Sequence, residues 1–244
     1  MADPIMAELV NSKRLVIVGA TGMVGGYALR FALDHPAVGR VMTIGRRPVG
    51  ISHAKLTEVL HRDFTDCSEL ASALSDQDGV IFCLGTYTGT VSDSELRTIT
   101  VDYTVEFARV LRASSPAAAV SFLSGSGADP TGRSRMAFAR YKGQAEKALL
   151  TAGFNGVYIF RPAYIYPIEP RKEPTVSYRL LRAIYPVFSR LFPNQVIRTD
   201  DLARAMVDVT LTTERRQQVL ENRDIRAMVE RSPSAKPRDP QQAL

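Results

Sequence analysis

"RLVIVGATGMVGG" (residues 14–26) is the stretch on which the fold turns. A short apolar run ends in glycine, and Gly19, Gly22 and Gly25 then follow three apart. An apolar run of that length reads as a buried strand. Gly19 permits a tight turn, Gly22 lets backbone approach a pyrophosphate, and Gly25, with Gly26, lets a helix pack close to the strand. The first amides of that helix then face an anion. A glycine triplet alone is weak, but here a strand precedes it and a helix follows. The stretch therefore points to dinucleotide binding, with Thr21, Met23 and Val24 completing the loop's candidate contacts.

Outward from this unit, strand and helix alternate. "GGYALRFALDHP" (25–36) repeats apolar residues at helical spacing and stops at Pro36. Strands are expected at 40–47, 79–86, 118–126 and 156–163, and helices at 67–77, 94–114 and from about 138 to 151. The strands are uniformly apolar, as in a parallel sheet covered on both faces. The fold class is α/β: a doubly wound Rossmann sheet with a small helical region on the substrate side. Residues 1–13 read as a leader, 14–166 as the dinucleotide-binding domain, 167–230 as a substrate-side segment, and the Pro-rich 231–244 as a disordered tail.

The end of the second strand selects the nucleotide. A carboxylate there would grip the ribose diol of NAD, whereas "TIGRRP" places Arg46 and Arg47. Guanidinium groups suit a 2′-phosphate, so NADP (NADPH) is the expected cofactor. "HRDFTD" sets Asp63 and Phe64 at a strand end, where a carboxylate can accept from the adenine amino group. "CLGT" brings Cys83, Leu84 and Gly85 to the cofactor, the glycine permitting close approach.

Composition narrows the partners. The chain has 244 residues, 45% hydrophobic and 23% charged, with a net charge of +6. Arginine outnumbers lysine 25 to 6 and the charges are scattered, so no nucleic-acid footprint is expected. Cys67 and Cys83 have no metal-ligand spacing, and no metal is expected. With no signal-peptide pattern and no apolar run of about 18 residues, the expected compartment is the cytoplasm. Residues 175–193, "TVSYRLLRAIYPVFSRLFP", read as a helix broken near Pro186. Its apolar Leu180, Leu181, Ile184, Val187, Phe188 and Leu191 are flanked by Arg179, Arg182 and Arg190. It is read first as a cover for the substrate side, next as a contact with a second copy or a protein partner, and last as a membrane-surface helix. Arg171 and Lys172 could meet an anionic group.

As an ordered set, "GATGMVG", "RDFTD", "CLGT", "VDYT", "FLSGSGAD", "KGQAE", "FRPAYIY" and "RTDDLARA" resemble the atypical and extended short-chain dehydrogenase/reductase superfamily. The resemblance runs from about Arg14 to Arg226. It is strongest to the branch of Tat-interacting tumour-suppressor oxidoreductase-like proteins and nucleoside-diphosphate-sugar epimerase-like proteins. It implies a serine that holds the substrate oxygen, here Ser124 with Ser126 as second choice. It also implies a lysine that orients the nicotinamide ribose, here Lys142, and a tyrosine acid four residues before the lysine.

That place is held by Phe138. Residues four apart share a helix face, whereas Tyr141, next to Lys142, lies about 100° round. Tyr141 can serve only if the helix shifts. Tyr87, Tyr164 and Tyr166 could offer a hydroxyl from another direction, and Asp102 replaces an asparagine many relatives carry. Two functions follow. One is an NADPH-dependent reductase or epimerase-like enzyme acting on a small carbonyl or hydroxyl substrate. The other is a non-catalytic NADPH-binding sensor, regulatory or assembly protein.

Overall fold

The computed structural model describes residues 12–86, 89–169, 190–214 and 216–231. The strands are β1 (Lys13–Val18), β2 (Val38–Gly45), β3 (Leu56–Leu60), β4 (Gly79–Phe82), β5 (Ala119–Leu123), β6 (Gly156–Arg161), β7 (Tyr164–Tyr166), β8 (Val196–Arg198) and β9 (Gln217–Glu221). Seven form one sheet in the order β3-β2-β1-β4-β5-β6-β9, and every neighbouring pair is parallel. β7 and β8 pair separately, also in parallel. The order reverses direction between β1 and β4, so the loops leaving these two strands diverge and open a crevice.

The helices are α1 (Met23–Asp34), α2 (Asp93–Arg97), α3 (Tyr103–Ser114), α4 (Ala137–Thr151), α5 (Thr199–Leu211) and α6 (Asn222–Arg231). Side-chain alternation along β1 shows why both faces are covered. Leu15 and Ile17 join the core built with Val24, Leu29 and Met206 of α1 and α5, while Val16 and Val18 join the core built with Phe107, Leu111 and Leu149 of α3 and α4. Burial of each such side chain contributes about 1.5–3 kcal/mol.

Two glycines fix how helices and loops approach the site. A Cβ on Gly79 would lie 2.3 Å from Cγ2 of Thr210, so α5 packs directly on the start of β4. A Cβ on Gly143 would lie 2.0 Å from the carbonyl oxygen of Asp129, so the loop after β5 crosses α4 at that residue. Asp129 stiffens the loop by accepting from Thr131 N at 2.8 Å and Ser134 N at 2.6 Å. These bonds, with that from the Thr131 hydroxyl, hold its acid down to about 2.

Two elements differ from expectation. Residues 67–77 do not form a continuous α-helix: a 3₁₀ turn spans Ser68–Leu70, followed by turns, and Asp76 takes φ 56°. Cys67, Leu70 and Leu74 are buried in the core and Gln77 is buried at the end of the segment, while most residues between them are exposed. The expected helix over 94–114 is interrupted by a π-helical segment, Thr98–Asp102, between α2 and α3. The expectations for residues 175–189 and 232–244, and those for Tyr87, Arg171 and Lys172, lie outside the described residues.

Candidate functional site

The glycine loop is a backbone cradle. Gly19 takes φ +84°, and a Cβ there would meet the peptide between Cys83 and Leu84 at 2.9 Å. A Cβ on Gly25 would lie 2.3 Å from the Gly19 carbonyl oxygen. Neither position admits a side chain without displacing backbone. Gly22 caps α1 with no side-chain hydrogen bond, so the first amides of the helix, at Met23 and Val24, are left for an incoming anion. Gly85 completes the approach from β4: a Cβ there would meet nothing within 4 Å. These features fit a dinucleotide pyrophosphate.

At the other end of the crevice, Arg46 and Arg47 directly follow β2 and are exposed. Asp63, also exposed, accepts at Oδ1 from Thr65 N at 2.9 Å and from the Thr65 hydroxyl at 2.5 Å. Those bonds lower its acid and leave Oδ2 for a ligand. Phe64 is different. Its ring is fully buried, 4.9 Å from His61 and 5.7 Å from Tyr103, so only its backbone can reach a nucleotide.

Between the glycine loop and the ends of β4, β5 and β6 lies a cleft of about 480 Å³. It gathers Cys83, Leu84, Gly85, Ser124, Phe138 and Lys142. Lys142 is 9% exposed, donates to the Leu123 carbonyl at 2.8 Å, and sits 4.8 Å from the centre of the Phe122 ring. Burial pushes its ammonium down to about 8, against the opposing pull of Cys83 and Glu146. The Cys83 thiol is pushed up to about 12 by burial.

Ser124 also lines the cleft, but its hydroxyl donates to Glu146. Glu146 is 1% exposed and is gripped by Arg161, whose Nε and Nη2 lie 3.0 and 2.5 Å from its carboxylate oxygens. Arg161 reaches on to Glu221 at 3.0 Å, and these bonds raise its basicity further. Ser124 can therefore accept from a substrate, while its own proton is directed into the buried network. Ser126 is exposed at the cleft and is held by its backbone to Pro162 at 2.8 Å. Sequence reasoning gave no role to Glu146 or Arg161. The available signal was a carboxylate one turn past Lys142 and an arginine ending the apolar strand "VYIFR".

The structure turns Tyr141 away from the cleft. Its hydroxyl donates to Asp93 Oδ2 at 2.7 Å, its ring packs with Leu96 and Val101, and the Asp93 bond raises its phenol pKa. The catalytic candidacy of Tyr141 is corrected on that ground: α4 is not shifted, and Phe138 holds the cleft-facing position. Phe138 lies against Gly125, where a Cβ would sit 2.6 Å from its Cζ. In β7, Ile165 lines the cleft, so Tyr164 and Tyr166 alternate to the opposite side. Asp102 is bound by Arg97 at 3.0 and 3.1 Å on the outer side of the π-helical segment.

Residues 19–213 match the family model described as NAD(P)H-binding. The chain belongs to this family. The mitochondrial protein fmp52 of Emericella nidulans is 32% identical over 208 residues, covering 81% of this chain and 87% of that protein. HTATIP2 of Rattus norvegicus is 26% identical over 167 residues, 68% of each chain. Among solved structures, the Bordetella bronchiseptica enzyme WbmG in complex with NAD superimposes with a TM-score of 0.64 at 16% identity, covering 93% of this chain and 80% of that one. That likeness concerns the fold. The resemblance to short-chain dehydrogenase/reductase proteins holds, as does the doubly wound fold. The cytoplasmic expectation does not: fmp52 relatives from Emericella nidulans and Aspergillus clavatus are both named mitochondrial proteins. Absence of a signal-peptide pattern was no ground for choosing the cytoplasm.

Proposed function

We propose that the chain is an NADPH-dependent oxidoreductase acting on a small carbonyl substrate. The observation that carries this reading is the continuous crevice in which a side-chain-free glycine cradle leads to the cleft holding Lys142. At the adenosine end, Arg46 and Arg47 take the 2′-phosphate and Asp63 Oδ2 takes the adenine amino group. Gly22, Met23 and Val24 hold the pyrophosphate, the backbone at Cys83–Gly85 lines the cofactor's path, and Lys142 holds the nicotinamide ribose. When bound, the nicotinamide supplies a hydride. Ser126 offers its exposed hydroxyl as donor to the substrate carbonyl, and Ser124, its own proton directed to Glu146, lines the cleft beside it.

A second reading, a non-catalytic NADPH-binding protein, is favoured by one feature: the cleft-facing position for an acid holds Phe138. Both readings require the nucleotide. Isothermal titration with NADPH and with NADH tests that requirement, on the wild type and on the double variant Arg46→Ala, Arg47→Ala. The expected result is a clear NADPH preference, reduced about 10- to 100-fold in the variant with any NADH binding spared. Equal affinity for both nucleotides refutes the assignment of the arginines, and binding of neither refutes both readings.

A further inference from the structure

We propose that the carbonyl compounds reduced in this cleft are quinones, the phenyl ring of Phe138 serving as the wall against which the quinone ring lies. The proposal rests on the NADPH reading above and names its substrate class. The cleft's apolar lining includes Met23, Leu84, Leu123, Phe138, Pro162 and Ile165. Its volume of about 480 Å³ is shared between the nicotinamide end of the cofactor and the substrate ring. Phe138 sits against Gly125 with no side chain between them.

The chemistry follows from what that lining lacks. Among the described residues the cleft presents no tyrosine, histidine or carboxylic acid. The Ser124 hydroxyl already donates to Glu146, and Lys142 is turned to the Leu123 carbonyl and assigned to the nicotinamide ribose. Thr86 and Ser126 offer hydroxyls that can hold a carbonyl oxygen but are acids of only alcohol strength. Reduction of an isolated ketone leaves an alkoxide, a base of about the strength of hydroxide, whose parent water has a pKa of about 15.7. A positioned acid contributes ~10²–10⁴ in rate to such a step. A quinone does not make that demand. It gains one hydride, its ring becomes aromatic, and the product is a phenoxide whose parent acid has a pKa of about 10, as for tyrosine. NADPH is oxidised to NADP⁺, and the hydroquinone monoanion takes its proton from water. The loss of the tyrosine, costly for simple carbonyls, is tolerated for this class. The aromatic ring left in its place gains a use, because aromatic pairs favour stacked or edge-on contact.

The test uses duroquinone, whose fully methylated ring blocks addition of the Cys83 thiol, and propiophenone, a flat aromatic ketone with one carbonyl. Titration calorimetry into NADP⁺-saturated protein measures binding without turnover. Duroquinone is expected to bind, and Phe138→Leu, which keeps apolar bulk without the ring, to weaken it about 2- to 10-fold. Anaerobic NADPH oxidation is then followed with each compound. The expected result is duroquinone turnover at least about 100-fold above propiophenone. Phe138→Tyr should raise propiophenone reduction about 100-fold and so narrow the gap between the two compounds. The proposal is overturned if duroquinone fails to bind while NADP⁺ binds, or if propiophenone is reduced at a comparable rate. It is also overturned if Phe138→Tyr accelerates both compounds alike. Failure of NADP⁺ itself to bind, seen in the nucleotide titration alone, is the separate failure of the cofactor reading.

Discussion

Lys142→Met should make the protein more stable at neutral pH and weaken its nucleotide binding about 10- to 100-fold. Lys142 is 9% exposed, and burial takes its pKa from the ordinary 10.5 to about 8. At about 1.4 kcal/mol per pH unit, that displacement means the charged amine costs the fold about 3 kcal/mol at pH 7. Methionine fills a similar volume without the charge. It forfeits the 2.8 Å bond to the Leu123 carbonyl and the contact with the Phe122 ring, together about 1 kcal/mol. The net gain is about 2 kcal/mol, or about 5 °C in Tm for a chain of this length.

The pH dependence separates this cause from a packing effect. The folded pKa lies below the unfolded one, so the unfolded chain holds the extra proton between pH 8 and 10.5. Wild-type stability therefore rises relative to the variant across that window. Urea unfolding of both proteins at pH 7 and pH 9.5 should show the variant ahead by about 2 kcal/mol at the lower pH and about level at the higher. A variant that is destabilised equally at both pH values refutes the claim that the amine is held there at a cost, and with it the view that function keeps it.

Two further substitutions probe the surroundings. Glu146→Gln removes a carboxylate that is 1% exposed from the grip of Arg161, leaving the guanidinium with only the partly exposed Glu221. It should cost about 3 kcal/mol in urea unfolding, and a loss below about 1 kcal/mol means the pair is not buried as described. Tyr141→Phe deletes the hydroxyl that donates to Asp93 and should cost about 1 kcal/mol with NADPH affinity unchanged by calorimetry. A marked loss of nucleotide binding would return Tyr141 to the cleft.

The parts of the molecule that could be read from sequence are those whose signal is local. β1, the glycine loop and α1 combine an apolar run, a fixed glycine spacing and a helical repeat within 22 residues, Lys13–Asp34. β3 and β9 lie at the two sheet edges, where "LTEVL" and "QQVLE" are only partly buried and show no apolar run. Residues 67–77 carried helix formers, but the chain there is held by side chains from elsewhere. Cys67 N donates to Glu106 at 3.1 Å, and Gln77 N donates to Ser115 at 2.8 Å. The same distinction divides the site. Phe138 on the face of Lys142 follows from helix geometry alone. The direction of the Ser124 hydroxyl depends on a carboxylate 22 residues away and an arginine on the next strand, which no spacing rule brings together.

This division also explains how such a site can change its chemistry without losing its cofactor. The cradle of Gly19, Gly22 and Gly25 is made of backbone so closely approached that a Cβ on Gly25 would lie 2.3 Å from the Gly19 carbonyl oxygen. Substitution on α4 leaves it untouched. A tyrosine acid on α4 would be a single side chain, and Phe138 at that place lacks one hydroxyl while offering the same ring. Gly125 belongs to that arrangement, because a Cβ there would collide with Cζ, the ring atom that carries the hydroxyl in a tyrosine. The glycine preserves room for an aromatic ring at this point whether or not the ring bears an acid. A cleft built this way keeps its shape for an aromatic side chain on α4 with or without a hydroxyl on the ring.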